Sequence, residues 1–215
     1  AVPDSIMLIV APGCCGRNTS LISSMPEYND RFFYLMMDET DIVTGRHLKK
    51  IPKAVKEICD CCEKKPSVVM ICITCVDALL GTDMERVCRK AEEKVDIPVR
   101  PCYMYALTRE GRKPPMVHVR QSLYSLLEPQ KKKGNVVNLL GFFSPLVDDC
   151  ELYDLLHQAG VKTIHEISRC KDYEEYRTMS QANFNLVLHP EARFAAEDFH
   201  NRLKIPFIEL RRLYQ

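Results

Sequence analysis

Two pairs of cysteines come at the ends of apolar runs that are typical of β-strands: Cys14 with Cys15, and Cys72 with Cys75. If the two runs are parallel strands of one sheet, their carboxyl ends share the edge where open α/β sheets bind ligands. Loop thiols beside free backbone N–H groups suit an iron–sulfur cluster. A zinc site, a Cys-x-x-Cys redox pair and purely structural cysteines are the alternatives.

The remaining cysteines have weaker signals. Cys59, Cys62 and Cys88 fall on apolar faces at helical spacing, so we expect them to be buried as small hydrophobic side chains. The total of 11 is odd, and a chain of 215 residues can build a core without disulfides. This usage predicts reduced thiols in a cytoplasm, that of an anaerobe if the cysteines bind a metal.

Composition excludes several kinds of partner. The chain is 46% hydrophobic and 27% charged, with a net charge of +1, which gives no reason to expect nucleic acid or an anionic membrane surface. No apolar stretch approaches the roughly 20 residues that span a bilayer. The first residue is Ala1 rather than Met, which suggests that an upstream segment or the initiator methionine is missing.

Apolar runs of strand length alternate with helical periodicity along the whole chain, which predicts parallel sheets covered by helices. A polar stretch at residues 130–134 interrupts the alternation, and it then restarts. We therefore predict an α/β protein of two Rossmann-like, three-layer α/β/α domains with mostly parallel sheets. Residues 1–130 form the domain with the cysteine loops, and residues 131–215 form a smaller one.

Several segments resemble the nitrogenase component 1 family. Residues 11–16, Ala-Pro-Gly-Cys-Cys-Gly, are similar to its Gly-Pro-x-Gly-Cys-Gly loop, and residues 37–45 are similar to its Leu-Asp-Glu-x-Asp-Val-Val-Phe-Gly segment. Residues 74–85 are similar to its Thr-Cys-x-x-x-Leu-Ile-Gly-Asp-Asp-Ile-Glu block. The resemblance continues in order at residues 97–99, 138–141, 185–188 and 205–209.

The resemblance implies a fold like that of the nitrogenase iron–molybdenum protein and an iron–sulfur cluster between two homologous subunits, in a homo- or hetero-oligomer. Its ligands fall on Cys15 and Cys75, with Cys14 as a neighbouring substitute. The earliest cluster cysteine of the family would precede residue 1, and its third α/β domain would follow residue 215. The resemblance also implies an ATP-dependent iron–sulfur reductase as partner. The chain has no Gly-x-x-x-x-Gly-Lys-Ser/Thr loop, so any ATP chemistry must belong to that partner.

A second site is implied at His189 and Arg193. In the cofactor-binding subunit of the molybdenum–iron protein, a cysteine at this strand end ligates the large metallocofactor, and here His189 takes that position. Its imidazole can bind iron, or it is a strand-end histidine bonded within its loop. Arg193 either meets an anionic substrate or cofactor or faces solvent. The sequence assigns no catalytic residue.

These features lead to three functional hypotheses. The first is a nitrogenase-like oxidoreductase subunit that relays electrons from the reductase, through the cluster, to a substrate or metallocofactor. The second is an assembly scaffold that holds a maturing metallocluster without turnover. The third is a non-enzymatic α/β interaction protein with inert cysteines. The sequence does not identify a substrate.

Overall fold

The computed structural model describes residues 2–15, 25, 30–103 and 114–210. Two compact units make up the chain: Asp4–Ser122 is one, and Ala1–Pro3 with Leu123–Gln215 is the other. They are called the first and the second unit below. The predicted division between residues 130 and 131 stays a prediction.

The first unit is built on a parallel sheet. Its strands are β1 (Ser5–Ala11), β2 (Phe32–Met36), β3 (Val68–Ile73) and β4 (Val99–Tyr103), in the order β2-β1-β3-β4. Its helices are α1 (Glu39–Thr44), α2 (His47–Cys61), α3 (Cys75–Leu79), α4 (Met84–Val95) and α5 (Pro115–Tyr124), the last of which crosses the division between the units. Because β1 and β3 are parallel neighbours, their carboxyl ends lie side by side.

The core of the first unit explains the apolar runs. Every residue of β3 is buried, as expected for a parallel strand that is covered on both faces. One face of the sheet packs against the apolar stripes of α2 and α4. The buried side chains at this contact are Ile6, Leu8, Val69, Ile71, Ile51, Val55, Val87 and Ala91.

The second unit repeats the parallel arrangement. Its strands are β5 (Val136–Leu140), β6 (Thr163–His165), β7 (Phe184–Val187) and β8 (Phe207–Glu209), in the order β6-β5-β7-β8. Its helices are α6 (Glu151–Gln158), α7 (Tyr173–Arg177) and α8 (Arg193–Leu203), with 3-10 turns at Thr178–Gln181 and Pro190–Ala192. The predicted α/β class with parallel sheets is confirmed.

Two asparagines occupy the interior of the second sheet. Asn138 in β5 lies directly opposite Asn185 in β7, and both are fully buried. The Asn138 Nδ2 donates to Asn185 Oδ1 at 2.7 Å and to the Met179 carbonyl oxygen at 2.9 Å. Asn138 Oδ1 and Asn185 Nδ2 find no hydrogen-bond partner within the described ranges.

In the part of the chain that the structure describes, no helix has the length and apolar character needed to cross a bilayer.

Candidate metal centre

The first cysteine loop turns immediately after β1. Gly13, Cys14 and Cys15 have helical backbone, and the Cys15 N–H donates to the Pro12 carbonyl at 3.0 Å. Both cysteines are exposed, with their sulfur atoms 3.9 Å apart. A Cβ on Gly13 would lie 3.3 Å from the Met36 methyl carbon, so the loop passes close to the end of β2.

The second cysteine loop starts a helix. Cys75 is the first residue of α3, directly after β3, and its side chain is half-buried. Cys72 lies inside β3 and is buried, and this burial raises the pKa of its thiol to about 11. Cys75 is therefore the cysteine of this pair that is available at the sheet edge.

The structure brings the two loops together. Cys15 and Cys75 follow the neighbouring parallel strands β1 and β3, and the Cys15 sulfur lies 3.9 Å from that of Cys14. Burial, the bond with Cys14 and the proximity of Cys75 raise the pKa of Cys15 above its ordinary value. Thiols from two strand ends thus meet at one edge of the parallel sheet, as the strand positions predict.

The donor atoms fit a thiolate-ligated group, but only in part. Sulfur donors of Cys14, Cys15 and Cys75 suit iron–sulfur clusters and zinc. Over residues 2–15, 25, 30–103 and 114–210, no three His, Cys, Asp or Glu side chains are arranged to hold one metal ion. A complete site would need further ligands besides these cysteines.

A buried ion-pairing contact supports the second loop. His47, the first residue of α2, places Nε2 3.0 Å from Asp77 Oδ1 in α3, and both side chains are completely buried. The His47 Nδ1 lies 2.9 Å from the Asp41 carbonyl oxygen. A carbonyl oxygen only accepts, so Nδ1 must donate, and the contact with Asp77 then needs a second proton. One shared proton thus joins the two buried side chains.

The segment before His47 is held by charged contacts. The Asp38 carboxylate caps α1 by accepting from the Asp41 N–H at 2.6 Å, and Gly45 ends α1 with a φ of 64°. The Asp41 carboxylate accepts from Lys50 Nζ and Arg46 Nε, each at 2.7 Å. These bonds lower the pKa of Asp41 to about 2. The family-like segment at residues 37–45, which contains α1, is thus held by hydrogen bonds and ion pairs directly before His47.

Large apolar side chains are exposed on the elements around the thiols. Met36 ends β2, Val43 lies in α1, Leu79 ends α3, and Leu80 follows it as the C-cap residue. Their exposed fractions are 53%, 85%, 71% and 52%. Leu79 and Leu80, which are adjacent in the chain, extend this exposed apolar surface at the end of the short helix of Cys75.

His189 lies at the carboxyl end of β7 in the second unit. Its Nδ1 accepts from the Glu191 N–H at 3.3 Å and caps the following 3-10 turn. The Phe142 ring packs edge-on against the imidazole, with 5.7 Å between ring centroids. The imidazole is thus fixed in its loop through one nitrogen, and the iron-binding role of His189 stays a prediction.

Arg193 begins α8, and its guanidinium is paired. It forms a two-bond contact with the Glu209 carboxylate, through Nε to Oε1 and through Nη2 to Oε2 at 2.7 Å. The two N–H donors that would bind an anion are therefore already bonded to Glu209. The anion-binding role of Arg193 stays a prediction, and it requires this ion pair to open.

The cysteines expected to be buried differ from one another. Cys88 is buried in α4, and burial raises the pKa of its thiol to about 12. Cys59 and Cys62, near the end of α2, are only half-buried. Cys59 packs against the edge of the core that contains Cys88, and Cys62 follows the last residue of α2.

Sequence reasoning missed the His47–Asp77 pair. The two residues are 30 positions apart, and each occurs on a helix where a polar side chain is unremarkable. Asp77 occupies one of the three unspecified positions of the family-like Thr-Cys-x-x-x-Leu block. Only the fold, by placing α3 against the start of α2, shows that they meet.

The sequence profile described as "Nitrogenase component 1 type Oxidoreductase" matches residues 1–215. The chain therefore belongs to the nitrogenase component 1 family, and the predicted membership is confirmed.

Similar proteins include the nitrogenase iron–molybdenum cofactor biosynthesis protein NifE of Nostoc sp. PCC 7120, 27% identical over 216 residues, which cover 97% of this chain and 44% of the relative. NifE of Rhizobium meliloti strain 1021 is 29% identical over 210 residues, covering 94% of this chain and 44% of the relative. The solved structure titled "Nitrogenase Cp1 at pH 5" matches 97% of this chain and 44% of its own, with a TM-score of 0.71 and 21% identity. The chain thus spans less than half the length of these proteins, and the structural match supports the nitrogenase-like fold.

Proposed function

We propose that this chain supplies part of the ligand set of an iron–sulfur cluster, with Cys15 and Cys75 as ligands and Cys14 as a substitute. The observation that carries the proposal is that Cys15 and Cys75 follow β1 and β3, two neighbouring parallel strands whose carboxyl ends lie at the same edge of the sheet. The proximity of Cys75 also raises the pKa of Cys15. Family membership supports an iron–sulfur cluster over zinc. When bound, such a cluster supplies thiolate-held iron that accepts and returns single electrons.

The remaining ligands are proposed to come from a homologous subunit. A cluster held by cysteines commonly has four of them, more than the two thiols assigned here. The exposed Leu79 and Leu80 at the end of α3 would be covered by such a partner. The proposed oligomer, homo- or heteromeric, thus has its cluster at the subunit contact.

The role that the relatives favour is cofactor assembly. The curated relatives described above are named as iron–molybdenum cofactor biosynthesis proteins. In this role the chain holds a maturing metallocluster, and a second metallocofactor lies near His189, whose Nε2 has no hydrogen-bond partner among the described residues. Arg193 would meet the anionic groups of that cofactor after leaving Glu209.

Electron relay is the second candidate, because the family is described as a type of oxidoreductase. In this role an ATP-dependent iron–sulfur reductase docks on the paired subunits and reduces the cluster. The cluster then passes electrons to a substrate or to the metallocofactor. Both roles belong in a cytoplasm, where reduced thiols such as the exposed Cys14 and Cys15 persist.

Iron loading tests the cluster proposal. The protein is purified without oxygen, reconstituted with ferrous iron and sulfide, and measured for bound iron, bound sulfide and electron paramagnetic resonance after reduction. We expect iron and sulfide to stay bound through gel filtration, with a signal in the reduced protein. A colourless protein without iron would overturn the proposal and favour the non-enzymatic alternative.

Reaction with a reductase separates the two roles. The loaded protein is mixed with an ATP-dependent iron–sulfur reductase, ATP and a family substrate, and cluster reoxidation is followed. Electron relay predicts reoxidation that depends on the substrate. An assembly scaffold predicts none, and instead transfers its bound metal to an apo acceptor protein.

A further inference from the structure

The turn that carries Cys75 has little stabilisation of its own. Helix α3 has only five residues, and isolated helices of this length do not form in water. Thr74 is its N-cap residue, but its side chain makes no capping bond, and Thr74 Oγ1 is buried without a partner in the described chain. Something outside the helix must therefore fix the direction of Cys75.

We infer that His47 and Asp77 are positioning residues for the Cys75 thiol. Asp77 lies in the first turn of α3, and its Oδ1 is bonded to His47 Nε2 at 3.0 Å. Helix α2, which starts at His47, has 15 residues and packs its Ile51 and Val55 into the core. The contact thus ties the short helix that bears the thiol to a long one that cannot move without disturbing the core.

His47 is itself held from the other side. Its Nδ1 donates to the Asp41 carbonyl oxygen at 2.9 Å. The Asp41 side chain is bonded to Arg46 and Lys50, and its N–H is bonded to Asp38. A continuous series of hydrogen bonds therefore runs from the turn at residues 38–46, through His47, to the turn of Cys75.

The Asp77 carboxyl group orients the first turn of α3 rather than adding to the stability of the fold. Its Oδ2 is buried with no hydrogen-bond partner among the described residues, and burying such an oxygen costs free energy. An apolar side chain of similar size would avoid that cost. What only a carboxyl or amide group supplies at this position is the directed bond to His47.

The test measures the reactivity of Cys75 in the metal-free, reduced protein. Alkylation by iodoacetamide is followed by peptide mass spectrometry at native conditions, with the exposed Cys61 at the end of α2 as internal reference. We expect Asp77→Ala and His47→Ala each to raise the Cys75 rate about tenfold relative to Cys61, because the first turn of α3 opens more often. The double variant should be no faster than either single one, because both remove the same bond.

A conservative variant separates positioning from general destabilisation. In Asp77→Asn the amide donates to Nε2 of a neutral His47, so the directed bond is kept and the Cys75 rate should stay near that of the wild type. Val55→Ala removes buried methyl groups from α2 without touching the pair, and should lower thermal stability without a selective change at Cys75. Equal rates in Asp77→Ala and the wild type, or an equal rise in Val55→Ala, would overturn the inference.

The inference rests on the proposed role of Cys75 as a ligand, but the two fail differently. If the wild type binds no iron while Asp77→Ala still exposes Cys75, the cluster proposal is wrong and the positioning contact stands. If the wild type binds iron and Asp77→Ala changes neither iron retention nor Cys75 alkylation, the cluster proposal stands and the positioning role is wrong.

Discussion

Gly141 and His189 approach each other so closely that a Cβ on Gly141 would lie 2.9 Å from the His189 backbone nitrogen. The Leu188 N–H donates to the Leu140 carbonyl at 2.8 Å, which joins the ends of β5 and β7 just before this contact. Gly141 also has a φ of 157°. The loop of His189 is therefore seated directly on the end of the neighbouring strand.

Gly141→Ala is expected to destabilise the second unit, because the added methyl group displaces the His189 backbone. The loss should be about 1–3 kcal/mol, measured by urea unfolding. Gly134→Ala is the matched control, since a Cβ there meets nothing within 4 Å. It should change stability by less than about 0.5 kcal/mol. Equal stability of the two variants would contradict the close approach.

Cys75→Ala is expected to remove most of the iron from the reconstituted protein, because a cluster iron loses its thiolate. Cys15→Ala should do the same, unless Cys14, whose sulfur is 3.9 Å away, takes its place. Cys88→Ala is the control, since Cys88 is buried in α4. Full iron content in Cys75→Ala, by chemical iron analysis, would show that the ligand assignment is wrong.

Asp41→Asn is expected to lower the free energy of unfolding at neutral pH and to lower it much less in acid. The bonds from Lys50 and Arg46 lower the pKa of Asp41 from 3.8 to about 2. A depressed folded-state pKa contributes stability that is complete above the unfolded value and is lost as the pH falls toward 2. Urea unfolding between pH 7 and pH 2 should therefore show the difference between variant and wild type shrinking below about pH 4. A difference that is independent of pH would contradict this role.

Glu166→Ala is expected to cost about 3 kcal/mol of unfolding free energy. The buried Glu166 accepts from the Leu146 N–H at 3.0 Å and from Arg169 Nε at 3.1 Å, and it also accepts from the Tyr153 hydroxyl. Glu174→Ala is the control, because Glu174 is 77% exposed and pairs only with Arg177 in the contacts described. It should cost less than about 0.5 kcal/mol in the same assay.

The fold could be predicted from the sequence because the spacing of apolar residues and the length of each apolar run are local features. The continuous burial of β3 and the one-sided burial of α2 are both encoded in the order of apolar side chains. The placement of Cys15 and Cys75 at one sheet edge was predictable for the same reason, since each follows a strand, while their role as metal ligands stays a prediction. Strand ends that are neighbours in a parallel sheet meet whatever separates them in sequence.

Polar contacts between residues that are far apart in the sequence could not be predicted. Arg193 was expected to face solvent or an anion, yet it pairs with Glu209, which lies on another element of the second unit. His47 and Asp77 likewise meet only because α2 starts where α3 passes. Polar partners carry no periodicity, so their pairing is readable only after the backbone is in place.

The facing amides of Asn138 and Asn185 also limit how the second sheet can assemble. Sliding β7 along β5 by a single residue would turn one amide to the opposite face and leave the other without its mate. Such a misalignment would leave buried polar atoms without hydrogen-bond partners. Wrong strand pairings are therefore higher in free energy, even where their apolar side chains pack well.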